Sequence, residues 1–543
     1  MHFIIITFIL FAVMMNILSA SSFLQINSNI CPYDSFDSQY LISSSFSSTN
    51  CQKKIVNSIP IIRRILITPS NYTGNISDPC YSVFSAIYCS LGQGFANETY
   101  ELAIYSNSNN RLTILLLEYD YELSEIPTEY FRRIRGNIEI QTLNCLDLDI
   151  MGCSNSGYFS GHIYVLRPDY VFFISDTFII RNIIIDGSQM ANGDNFLIQA
   201  GFFNIEPISD DPNYPIPNLI INHLKMENFV SLGQSNQNSP AYFLLNDQYF
   251  GNVFINNITL DGCFFPAGII AFYETLGRTN WNNTQGSFLT IVNLIIQNYK
   301  INDSLNIDSE LFSVSGNNMT LNLENVTIKN LTFSQNPYYI FTFFDINTQI
   351  VINSLIILQI NGQNLFLLSS CALQITNFTI FDSSFSSSPI LISNEATNLI
   401  IISMNTLSSI LIDPNSYFLV NQGGFLYVNN YLFDNITNFQ FKVVGSNSSI
   451  VNGTFSSFVT NRLFIFDTST FSLQNISFYS INVQTSFMLF NNINLASLNS
   501  LKFNGVVSLS SILEIENVNS LELDNLSTIS TPQISYRYRH FLP

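Results

Sequence analysis

The phrase FIIRNIIIDGS, Phe178 to Ser188, sets a single asparagine among aliphatic residues that alternate with period two, and closes on Asp-Gly. The same form returns along the chain as apolar, x, apolar, x, Asn or Ser, apolar, x, apolar, then a turn pair. Its central positions are Asn182, Asn222, Asn257, Asn293, Asn325, Ser354, Asn377, Ser403, Asn430, Asn452, Asn475, Ser500 and Ser520. The interval is 40 residues from Asn182 to Asn222 and settles between 20 and 27 in the later copies. That is the period of a solenoid coil, and few other folds need one polar residue once per coil.

The period-two alternation selects strands over helices, with Ile, Val and Phe at the inward positions. Two short strands flank each polar residue, as in VFINNITLDG and FSLQNISFYS. The pairs that follow, such as Asp186-Gly187, Asp261-Gly262, Lys329-Asn330 and Asp434-Asn435, are turn dipeptides whose second member tolerates a left-handed backbone. Each coil is therefore expected to run strand, asparagine bend, strand, turn and return. Stacked coils bring equivalent residues about 4.8 Å apart, so the asparagines can form a hydrogen-bonded ladder. The ladder is expected at Asn182, Asn222, Asn257, Asn293, Asn325, Asn377, Asn430, Asn452 and Asn475, with side chains inward. One coil has nothing to bury its apolar residues against, so only the stack is stable.

A solenoid core grows along one axis, so 543 residues do not require several domains. The chain is 47% hydrophobic and only 10% charged, which excludes disorder. Its apolar runs are broken by Asn, Ser, Gln or Gly every few residues, and none reaches the roughly 20 residues of a membrane helix. The net charge of −19 reflects scarce bases, 19 Lys plus Arg against 38 Asp plus Glu. Between Gly187 and Ser530 the bases are Lys225, Arg278, Lys300, Lys329, Lys442, Arg462 and Lys502. A surface so poor in cations excludes nucleic acid as a partner, and a polyanion would need a calcium bridge.

The opening MHFIIITFILFAVMMNILSASS has a short apolar core followed by small residues, the form of a secretory signal over residues 1–20. All eight cysteines follow it, which suits an oxidising compartment. Residues 21–99 form a cysteine-containing segment in which Asp78 to Gly92 reads as an amphipathic helix, with Pro79 at its first position and Gly92 as its stop. On that helix Cys80 and Cys89 lie about 13 Å apart, too far for a mutual disulfide. Each is expected to bond elsewhere, among Cys31, Cys51, Cys145 and Cys153. Cys263 and Cys371, isolated in apolar strands, are expected as packed thiols. The solenoid is expected over 100–530, followed by a tail, 531–543.

The repeat form, phrases such as RNIIIDG and the helix before the first coil resemble the pectin-lyase-like family of right-handed parallel β-helices. The nearest likeness is to non-catalytic secreted or surface β-helix proteins of protists. The resemblance implies a right-handed all-β solenoid capped by the helix at 78–92. In the family's enzymes, Asn-Thr-Asp, Gly-His and Arg-x-Lys motifs stand on successive coils, and this sequence has no such set. Carboxylates that could serve a lyase or hydrolase are Asp186 and Asp261, at one turn position two coils apart, with Glu227 near the coil between. Two rungs make about 10 Å, at the outer limit for an inverting pair. His162 and His223 stand in no metal-ligand cluster, so neither metal nor cofactor is expected.

Of the Asn-x-Ser/Thr sequons, Asn71, Asn75, Asn97 and Asn282 fall in expected loops or cap segments and are the glycan acceptors expected. Asn257, Asn325, Asn377, Asn452 and Asn475 are ladder positions and are expected to be inaccessible. Trp281 lies in one of the long coils between Asn182 and Asn325, where extra residues must loop outward. The expected function is a secreted or cell-surface glycoprotein with an adhesive or structural role, binding glycans or extracellular proteins. The chain has no membrane span of its own, and a longer membrane-anchored form would extend beyond it.

Overall fold

In the computed structural model the chain is an all-β parallel solenoid. Short strands are described between residues 39 and 174. From 176 to 529 the backbone is described except for 189–194, 206–215, 231–237, 248–250, 274–286, 300–309, 317–318, 333–338, 362–363, 386–387, 394–396, 414–415, 446 and 468–469, and a last strand covers 536–539. The expected helix at 78–92, the six early cysteines, Trp281 and the glycan candidates Asn71, Asn75, Asn97 and Asn282 lie outside the described residues.

Every strand pairing among the described residues is parallel. The strand Asn218–Glu227 pairs residue for residue with Thr177–Asp186 on one side and Asn252–Asp261 on the other. Ser287–Gln297 and Met319–Thr332 continue the same register. Pairing runs past both limits expected from sequence. Gln39–Leu41 and Ile62–Ile67 join the stack through Arg111–Leu116, and Tyr536–Arg539 pairs with Leu513–Glu516.

The recurring asparagine is the corner. Asn182, Asn257, Asn293, Asn325, Asn430, Asn452 and Asn475 all have φ between 53° and 56°, and Asn377 has 59°. This left-handed region costs most L-residues roughly 1–2 kcal/mol, and asparagine is the non-glycine residue that visits it most readily. A second left-handed column follows five residues later, at Asn228, Gly262, Asn298, Asn330, Asn435 and Gly505. In most coils these residues are the second members of the turn pairs. In most coils, then, two sharp bends are separated by four strand residues.

Three expectations about the ladder need correction. In the second copy the corner is His223, with φ 55°, whereas Asn222 stays in the strand and pairs with Arg181 and Asn256. Polar residues at both 222 and 223 leave the pattern unable to choose; the register with Asn257 decides it. In the last copy the corner equivalent to Ser500 is Asn525, φ 52°, and not Ser520. Finally, the corner side chains point outward. Asn182, Asn325, Asn377, Asn430, Asn452 and Asn475 are exposed, and Asn257 and Asn293 are half-buried. A left-handed residue breaks the alternation, so the residues two before and one after it both face inward, leaving the corner itself on the outer edge.

The ladder nonetheless forms along that edge. Asn293 Nδ2 donates to Asn257 Oδ1 at 2.7 Å and Asn325 Nδ2 to Asn293 Oδ1 at 2.9 Å. Asn475 Nδ2 donates to Asn452 Oδ1 at 3.1 Å. Replacing Asn293 by alanine forces a β-carbon into the left-handed backbone and removes both of its ladder bonds, for an expected loss of about 2 kcal/mol. Asn293→Gly removes the same bonds without the strain and is expected to cost less. Urea midpoints that are equal for the two variants would show that the corner imposes no conformational demand.

Inward residues stack rung on rung. Three places after the corner, Met226, Leu260, Ile296, Ile328, Ile357 and Ile380 lie in one aliphatic file. After Thr406 the file becomes aromatic, Phe433, Phe455, Phe478 and Phe503. Successive ring centroids are 5.2, 5.4 and 5.0 Å apart, with planes within 20° of parallel. All these residues are buried, Thr406 among them, and its hydroxyl oxygen is enclosed without a hydrogen-bond partner.

Candidate functional site

The register brings Asp186, Glu227 and Asp261 into one column on three consecutive coils, since Glu227 pairs with both aspartates. Glu227 therefore stands in the aspartates' own column, at the last strand position before the second corner. The same column continues with Gln297 and Lys329.

Each carboxylate is engaged by its neighbours. Asp186, buried, accepts the backbone N–H of Ser188 at 2.7 Å, an Asx turn closing the corner. Glu227 is ion-paired with Lys225. Asp261 accepts Gln297 Nε2 at 2.6 Å and Asn298 Nδ2 at 2.7 Å. Asp261 and Glu227 each precede a left-handed residue, Gly262 and Asn228, as the turn there requires. Neighbouring members of the column are separated by one rung, about 4.8 Å.

A partly buried ion pair stands on the same strand as Asp186. Arg181 Nε meets Glu139 Oε1 at 2.6 Å, with the Glu139 side chain buried on the preceding coil. Partial burial pulls the Arg181 guanidinium below its ordinary pKa. His162 lies in the strand Gly161–Val165, opposite Asp120 and Ile184 in the backbone register. His223, at its corner, accepts at Nε2 from Asn257 Nδ2, 2.9 Å away. Among the described residues no three His, Cys, Asp or Glu side chains are grouped as metal ligands.

Cys263 and Cys371 are free and buried. Burial pushes both thiols up to about 12, so neither supplies a thiolate at neutral pH. Cys263 Sγ donates to the Met226 carbonyl at 3.2 Å.

Periodicity directs attention inward and misses the outer faces. There Phe254 is 41% and Phe288 48% exposed. Phe288 pairs with Asn252 and Phe254 with Thr290, so the two rings are diagonal neighbours on adjacent rungs. Beside them runs an outer amide file, in which Asn252 Nδ2 donates to Asn218 Oδ1 at 3.0 Å and Asn218 Nδ2 to Thr177 Oγ1 at 3.4 Å. The usable signal was phenylalanine at outward parity in VFINNITLDG and SFLTIVNLIIQ. Among the described residues no helix is long and apolar enough to cross a membrane.

No protein-family model and no curated protein sequence matches the chain. Among solved structures, the periplasmic alginate epimerase AlgG is similar over 77% of this chain and 77% of its own, at 9% identity and a TM-score of 0.23. The A-module of the Azotobacter vinelandii mannuronan C-5 epimerase AlgE4 covers 79% of this chain and 89% of its own, at 10% identity and a TM-score of 0.16.

Proposed function

We propose that the protein is a secreted or cell-surface adhesion module that binds extracellular glycans on an outer sheet face and carries out no reaction. The observation behind this reading is the pair Phe254 and Phe288. Two large rings stand exposed on adjacent rungs, flanked by neutral amides and hydroxyls at Thr177, Asn218 and Asn252. Exposed aromatic pairs rimmed by polar groups mark interaction sites, and the flat apolar face of a pyranose ring suits such a platform. The flanking amides and hydroxyl carry no charge, which fits a neutral polysaccharide.

The test is binding of purified protein to a panel of immobilised polysaccharides. Phe254→Ala with Phe288→Ala is expected to weaken retention at least about tenfold, equivalent to ~1.4 kcal/mol, while leaving thermal stability within a few degrees. Retention unchanged in the double variant would remove this face from the account.

A second reading is favoured by the carboxylate column. Asp186, Glu227 and Asp261 on consecutive coils could serve a polysaccharide lyase or hydrolase, because members one rung apart approach the roughly 5 Å spacing of a retaining carboxylate pair. Turnover of any polysaccharide in that panel, with or without calcium, and lost in Asp261→Asn, would establish this reading over the first.

A further inference from the structure

We propose that the glycan platform has a second half, formed by Phe425 and Tyr427, and that its ligand is a neutral β-1,4-linked polysaccharide lying lengthwise along the solenoid axis across both halves. The proposal rests on the reading of Phe254 and Phe288 as a glycan platform. Backbone register carries it further. Phe254 belongs to a file of outward residues that passes through Thr290, Asn322, Val351, Gln374 and Ile400 to Tyr427. Inward residues flank both rings, Val253 and Ile255 at one and Leu426 and Val428 at the other, so the two share one outer sheet face. Six rungs separate them, about 29 Å.

Phe288 and Phe425 stand two residues before Thr290 and Tyr427 on their strands and point to the same face. Phe425 is 39% exposed and Tyr427 half-buried. Among the described residues none of the four rings packs against another ring of the protein. Between the two aromatic pairs, the Phe254 file and the neighbouring outward file from Asn256 to Asn429 carry one charge, on Glu324.

That layout selects a ligand. Two aromatic pairs with amides, hydroxyls and aliphatic side chains between them suit a chain molecule that shows flat apolar rings at intervals and hydroxyls along its edges. Equatorial β-1,4 links keep successive pyranose rings in a nearly straight ribbon, whereas a curled glycan leaves a straight file after a few residues. One sugar of such a ribbon is about as long as one rung, so about seven sugars cover both pairs. A uronate chain would meet a carboxylate and no cation in these two files, which disfavours it. Joining the pairs through one ligand makes the second contact intramolecular, and this raises affinity only once the ligand is long enough to reach.

The experiment is calorimetric titration of the full chain with cello- and manno-oligosaccharides, each as trisaccharide and octasaccharide. The octasaccharides are expected to bind at least about tenfold tighter than the trisaccharides. Phe425→Thr with Tyr427→Thr keeps residues that strands favour, so the thermal midpoint is expected to hold while octasaccharide affinity falls to the trisaccharide level. Octasaccharide affinity unchanged in that variant, but lost in Phe254→Ala with Phe288→Ala, would overturn the second half and leave the first standing. Affinity untouched by either variant, or no glycan binding at all, would overturn both. Equal affinity at the two lengths, tighter binding of a polymannuronate octasaccharide, or no binding of either neutral series while another glycan is retained through Phe254 and Phe288, would each overturn this proposal alone.

Discussion

Phe455→Ala is expected to lower stability by about 3–5 kcal/mol, the range for emptying a buried aromatic site that cannot collapse. Phe455 sits between Phe433 and Phe478, stacked 5.2 and 5.4 Å from them, with interplanar angles of 7° and 14°. Tyr431, Phe441, Phe458 and Phe464 meet it edge-on at 5.1 to 5.9 Å. Backbone pairing to the coils above and below holds the walls of the vacancy apart, so most of the lost contact stays lost. Phe503 stacks on Phe478 at 5.0 Å and meets Phe487 edge-on at 5.7 Å, near the end of the aromatic file, where no further phenylalanine continues it. Chemical denaturation should therefore place Phe455→Ala well below Phe503→Ala. Equal midpoints for the two would mean that the aromatic file does not act as a packed column.

Gly453→Val is the second large effect expected, and its cause is one side chain on the preceding coil. A β-carbon at Gly453 would lie 2.0 Å from Tyr431 Cζ and within 2.3 Å of two further ring carbons. The two residues are paired in register at the first inward position after the corner. Tyr431 is 4% exposed, so its ring cannot swing out into solvent. The file elsewhere at this position reads Met404, then Tyr431, Gly453 and Ile476, so an oversized residue is matched by an absent side chain above it.

Gly453→Val is expected to cost ~3 kcal/mol or more from overpacking. Tyr431→Leu in the same chain should recover much of it, and the double-mutant cycle measures the coupling. The tyrosine hydroxyl is itself enclosed without a hydrogen-bond partner, next to an apolar cavity of about 10 Å³ lined also by Met404, Phe433 and Phe455. Tyr431→Phe is accordingly expected to hold or raise stability by about 1 kcal/mol, since it removes an unsatisfied polar atom. Additive losses in Gly453→Val and Tyr431→Leu would show that the two do not share one space.

The candidate site was legible to different depths. Asp186 and Asp261 could be found as turn residues because Asp-Gly has a local cause. Glu227 joins their column only through register, since a 35-residue interval and a 40-residue interval separate the copies and insertions hide the equivalence. The pairing of Phe254 and Phe288 across adjacent rungs was invisible for the same reason. Parity alone says that each points outward, but not that they stand diagonally together.

Local chemistry in the sequence determined the solenoid itself: period-two alternation makes strands, and an asparagine or glycine at a fixed offset makes each bend. Those preferences act within a few residues, so they survive in any fragment long enough to contain one repeat. Tertiary structure decided the rest. It chose His223 over Asn222 as a corner, turned the corner amides to the outside, fitted Tyr431 over Gly453 and aligned three carboxylates. Each of these depends on which residue lies one rung away, some 22 to 36 positions distant in most coils, and hydrogen-bond register between backbones sets that neighbour.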